Sequence, residues 1–188
     1  VPLIGHSFGA TVALRIAIER PYRVSSIVLI EPIFFAAVKG RWAYDKALRD
    51  LSAFEKRVTA GEHATAAKEF HAIWGDGTPW EKLSSEQRAY MVSRIALIPA
   101  ANSLVMEDRP RLLSPGRLEG LDMPVTFVDG GASHPVIAET ISTIGDRIPD
   151  AEWVSVPEAG HMLPMTHPEL VVQAMKGRLF VDRPDNDD

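Results

Sequence analysis

The sequence predicts an α/β chain: a mostly parallel sheet with an all-helical segment inserted into it. Three observations carry this expectation. Short runs of branched apolar residues alternate with helical stretches at both ends of the chain, the pattern of parallel strands joined by crossover helices. Residues 34–118 show helical patterning and no convincing strand. A glycine-flanked serine, Gly5-His6-Ser7-Phe8-Gly9, lies between the first strand and the first helix.

Residues 1–4 (VPLI) are short, apolar and branched, and read as the end of a buried strand. In the helix that follows, over residues 10–20, Ala10, Ala13 and Ala17 are small and Val12, Leu14, Ile16 and Ile18 surround them. Apolar residues on nearly every face predict burial against a sheet. Pro21 ends that helix. Residues 24–30 (VSSIVLI) read as a second buried strand, closing at Glu31-Pro32.

The middle segment predicts helices over residues 41–59, 62–74, 84–98 and 101–113. Two start signals stand out. Thr78-Pro79-Trp80-Glu81 aligns a capping threonine, an N1 proline and an N3 glutamate, and Ser84 with Gln87 repeats the box. Alternation then resumes, with a strand at 125–128, a helix at 135–148 and a strand at 152–156. A last helix, opened by Thr166-His167-Pro168-Glu169, runs to about Phe180.

Composition narrows the function classes. The 188 residues are 46% hydrophobic and 24% charged with a net charge of −5, so nucleic acid is not an expected partner. No apolar run reaches the ~20 residues of a membrane-spanning helix. Cysteine is absent, which removes thiolate nucleophiles, thiolate metal sites and disulfides. It also fits a reducing compartment, so a cytoplasmic location is the expectation. His161 and His167 have no acidic or cysteine neighbours at metal-ligand spacing. Neither a metal nor a cofactor is called for, and the expected partner is a small-molecule substrate.

Ser7 is the candidate nucleophile. On a tight strand-to-helix turn its Oγ stands clear of the backbone, and Gly5 and Gly9 leave room where a Cβ would clash. The next residue, Phe8, opens the helix and can aim its backbone N–H at an oxyanion. Of the six histidines, His63 and His71 lie in the helical segment as surface or packing residues. His6 shapes the turn, His167 occupies a capping position, and His134 is ambiguous. His161 differs, because it leaves the C-terminal end of a strand on a loop (PEAGH), the edge where catalytic groups of open parallel sheets gather. An imidazole is the base that a serine nucleophile needs.

The stretches LIGHSFGATVALRIA, VSSIVLIEP and VPEAGHMLPMTHPELV together resemble the α/β-hydrolase superfamily, nucleophile first and histidine last. The resemblance implies the C-terminal part of an α/β-hydrolase fold, with residues 1–33 and 119–188 as a partial core and 34–118 as the helical cap. It implies an acyl-enzyme on Ser7 in the cleavage of an ester-like or carbon–carbon bond. It also implies that earlier strands and a second oxyanion donor belong upstream of Val1, and that this polypeptide alone is poorly soluble or inactive. The commonest family pattern places the acid of the triad where Ser133 stands, and serine carries no charge. A second family solution puts the acid after the strand that follows the nucleophile helix, where Glu31 stands. Asp129 is the alternative, and Asp108 a further one. Trp42, Trp74, Trp80, Phe34, Phe35 and Met91 are candidates for lining a small apolar acyl pocket. The competing reading is a non-catalytic binding protein or scaffold that retains the fold.

Overall fold

The computed structural model describes residues 1–179. Strands β1 (Pro2–His6), β2 (Ser26–Ile30), β3 (Val125–Gly130) and β4 (Ala151–Val156) form one parallel sheet in the order β1-β2-β3-β4. Every residue of β2 and β3 is buried. Side chains alternate between two cores, as a two-residue period requires. Ile27, Leu29 and Phe127 face a large core shared with helices α1 (Phe8–Glu19) and α6 (Pro135–Gly145). Val28, Ile30 and Val128 face a smaller one closed by Leu163 and Val171. These two residues belong to the short helix α7 (Leu163–Thr166) and to α8 (Pro168–Met175).

The two flanking strands are less buried than the sequence suggests. Ile4 on β1 and Trp153 on β4 are each about half exposed. Helix α1 is likewise buried on one face only. Ala10, Ala13, Leu14 and Ala17 pack inward, while Phe8, Val12 and Ile16 form an outward stripe one turn apart. Apolarity on every face therefore does not translate into burial on every face in the described residues.

Between β2 and β3 the described residues form four helices and no strand: α2 (Trp42–Thr59), α3 (His63–Trp74), α4 (Ser85–Arg94) and α5 (Pro99–Met106). There are 3-10 turns before α2, between α3 and α4 and between α4 and α5, and turns without helix over 107–124. Ala43, Tyr44, Ala47 and Leu51 of α2 join the large core. Phe54, Ala66, Ala67 and Ile95 make a small core of the segment's own. The Ser84–Gln87 capping box forms in both directions. The Thr78 box does not: Trp80–Lys82 is one 3-10 turn with no side-chain cap. Helix α5 stops at Met106, short of residue 113, because Pro110 cannot continue a helix and Asp108 captures the N–H groups of Leu112 and Leu113. Thr166 does not cap α8, since its Oγ1 bonds Met162 O and His167 Nδ1. Helix α8 ends at Met175, and Phe180, its expected end, lies outside the described residues.

Candidate active site

The parallel register sets the site. His6 pairs with Ile30, and Ile30 with Val128, so β1, β2 and β3 end at one rim. Ser7, Glu31 and Gly130 therefore emerge side by side. Ser7 has φ 56° and ψ −121°, a backbone conformation that side chains seldom adopt. It is held there by its N–H donating to Ile30 O (2.9 Å) and its carbonyl accepting from Ala10 N (3.0 Å). Gly5 is required, because a Cβ there would overlap the carbonyl of Gly9. Gly9 is not: a Cβ there meets no described atom within 4 Å, so that half of the steric reading is corrected.

Glu31 is the second residue of the site in a left-handed conformation, φ 50°, with its N–H donating to Val128 O (2.9 Å). Its side chain is fully buried. A buried carboxylate needs partners, and Glu31 has three. Oε1 accepts from Gly130 N (2.7 Å) and Ser133 Oγ (2.8 Å), and Oε2 lies 2.8 Å from His161 Nδ1. A carboxylate only accepts, so Nδ1 carries the proton and Nε2 is the free base. That Nε2 lies 2.9 Å from Ser7 Oγ.

His161 reaches this point because its loop folds back over the end of β3. Gly130 allows it, since a Cβ there would overlap the carbonyl of Ala159, and Ala132 N donates to that same carbonyl (3.0 Å). His6 Nε2–H donates to His161 O (2.7 Å). Burial, together with the neighbouring His161, holds the His6 imidazole below its ordinary pKa, against the raising influence of that hydrogen bond and of Glu31. The N–H of Phe8, at the first position of α1, has no acceptor within the helix, and Phe8 lines a cavity together with Ser7 and His161.

The other candidate acids lie elsewhere. Asp129 accepts from Trp153 Nε1 (2.8 Å), and burial pushes its carboxyl above the usual range. Asp108 is occupied with the backbone of Leu112 and Leu113. His134 caps α6, with Nδ1 accepting from Val136 N (3.2 Å). His71 is a buried packing residue whose Nε2 meets Thr78 O (2.7 Å). Two contributions were not read from the sequence. Ser133 donates to the buried carboxylate, although a hydroxyl in the slot of an acid was a visible signal. His6 holds the backbone of His161, for which no sequence signal exists.

A cavity of about 270 Å³ opens on Ser7, Phe8 and His161 and is walled by Phe35, Leu51, Phe70, Trp74 and Val105. Of the expected aromatic lining, Phe35 and Trp74 are present. Phe34 is in the large core, Trp42 borders a separate cavity beside Asp129, Met91 borders a neighbouring groove, and Trp80 packs on the helical segment's own core. Among the described residues no group of three His, Asp or Glu side chains is arranged to hold a metal ion.

A family model described as the alpha/beta hydrolase family matches residues 3–174. The chain belongs to the alpha/beta hydrolase family. Solved structures with the same fold include an alpha/beta hydrolase from a Medee basin deep-sea metagenome library, at 15% identity and a TM-score of 0.70 over 98% of this chain. A probable hydrolytic enzyme of Pseudomonas aeruginosa PAO1 is similar at 22% identity and a TM-score of 0.60 over 96%. A thermophilic esterase of Thermogutta terrifontis is similar at 23% identity and a TM-score of 0.61 over 93%. The chain spans 66%, 64% and 62% of these three hydrolase chains respectively. At these identities the likeness is one of fold.

Proposed function

We propose that this alpha/beta hydrolase chain carries the reactive centre of a serine hydrolase that cleaves an ester-like bond, or a carbon–carbon bond, in a small organic substrate. The observation that carries the reading is the unbroken relay from Ser7 Oγ through the His161 ring to Glu31, with links of 2.9 and 2.8 Å. His161 Nε2 takes the Ser7 proton as Oγ attacks the substrate carbonyl carbon. The resulting oxyanion receives the Phe8 N–H. The tetrahedral adduct collapses when Nε2–H protonates the departing group, leaving an acyl group on Oγ. Water, deprotonated by the same nitrogen, then releases the acid and restores the serine. Glu31 holds the tautomer and stabilises the transient imidazolium without itself taking the proton. The apolar walls of the cavity suit a small apolar acyl group.

The deciding experiment is covalent labelling of the full-length protein with a fluorophosphonate. Labelling in the wild type and none in Ser7→Ala is expected. A wild-type protein that stays unlabelled would leave the fold as a binding scaffold and end the reading.

A further inference from the structure

Trp74 connects the helical segment to His161. It is the last residue of α3 and is buried, with its ring centroid 5.0 Å from that of His161 at 78°. It also stacks on His134, 5.4 Å away at 26°. His134 is itself fixed at both nitrogens. Nδ1 accepts from Val136 N, so the proton is on Nε2, which donates to Asp50 Oδ2 on α2 (3.2 Å). Asp50 also receives Lys46 Nζ (2.7 Å). Although partial burial opposes it, the hydrogen bond and charge of Lys46, aided by His134, hold the Asp50 carboxyl below its ordinary value.

A histidine needed only to cap α6 would use Nδ1 alone. Here the second nitrogen reaches a different segment of the chain, and the ring face supports the tryptophan that borders the reactive imidazole. We propose that His134 and Asp50 are positioning residues that brace α2 against the sheet domain and, through Trp74, hold the His161 ring in line with Ser7 and shielded from water. This rests on the reading of Ser7 and His161 as a reactive pair. A loosened Trp74 frees the His161 ring to turn away from Ser7 Oγ.

The test is the rate of fluorophosphonate labelling of the full-length protein, with melting temperatures measured in parallel. His134→Asn keeps an acceptor for Val136 N but loses the ring and the bond to Asp50. Asp50→Ala is the second variant, should the first fold poorly. Both are expected to label between about tenfold and about 100-fold more slowly, as a misplaced reacting group does. Asp50→Asn, which keeps an acceptor for Nε2–H, recovers most of the rate that Asp50→Ala loses. Wild-type rates in His134→Asn and Asp50→Ala overturn the inference, and so does slowing that Asp50→Asn fails to recover, the mark of a packing defect alone. If the wild-type protein does not label, the reading of Ser7 falls first and this inference falls with it.

Discussion

Ser133 Oγ lies 2.8 Å from Glu31 Oε1, so the hydroxyl in the position where the commonest family pattern has an acid donates to a carboxylate that comes from the neighbouring strand. The charge occupies a different strand end, and the vacated position serves it. Removing that donor leaves a buried carboxylate oxygen with one partner fewer. A hydrogen bond to a charged group contributes about 1.5–3 kcal/mol. Ser133→Ala is therefore expected to lower kcat/KM about tenfold, measured on a chromogenic ester.

In the proposed reaction Glu31→Gln keeps the shape but removes the charge assigned to stabilise the imidazolium. Its kcat is expected to fall about 10⁴-fold. Near-normal turnover in that variant would remove Glu31 from the mechanism.

Asp129 provides the contrast. It is bonded to Trp153, and burial pushes its carboxyl up. A raised folded pKa means that the folded state holds the proton more tightly than the unfolded chain does. The cost of ionising Asp129 is thus full above its folded pKa and disappears as pH falls below the unfolded value of about 3.9. Asp129→Asn should raise the melting temperature at neutral pH, lose that gain in acid, and leave turnover within about threefold of wild type. Thermal melts across pH, with one activity assay, check all three.

His6 titrates in the opposite sense. Its folded pKa is depressed, chiefly by burial, so the neutral ring is favoured. The stability this supplies is fully present above the unfolded pKa of about 6.5 and is lost as pH falls towards the folded value. His6→Gln retains an N–H to donate to His161 O without titrating. Its melting temperature should fall less than that of the wild type between about pH 7.5 and about pH 5.5.

Gly5 and Gly9 look alike in sequence and should not behave alike. Gly5→Ala drives a Cβ into the carbonyl of Gly9 and should cost more than about 4 kcal/mol, read as insolubility or a collapsed melting temperature. Gly9→Ala meets open space in the described residues and lies inside α1, where alanine is favoured over glycine by about 0.5–1 kcal/mol. Its melting temperature should match or exceed that of the wild type.

Local patterning was enough to assign the alternation of strands and helices, the helical stretch between β2 and β3, the serine turn and the histidine loop. Each depends on neighbours in the chain: branched runs, a capping box, a glycine before a helix. The helix ends at Met106 and Met175, and the failed Thr78 box, were not legible in the same way. There the winning contact comes from outside the window, as when Asp108 takes backbone N–H groups that a longer helix would have used.

The sequence alone committed the chain to parallel strands and a tight strand-to-helix turn at Ser7, because two-residue and 3.6-residue periodicities are written in successive side chains. Choosing among Glu31, Asp129 and Asp108 required the folded chain. Asp129 lies within β3 and its carboxylate meets Trp153 of β4, whereas Glu31 stands just past the end of β2 with a positive φ and meets His161. Strand register and the passage of the His161 loop over Gly130 are long-range facts, and no local pattern encodes them.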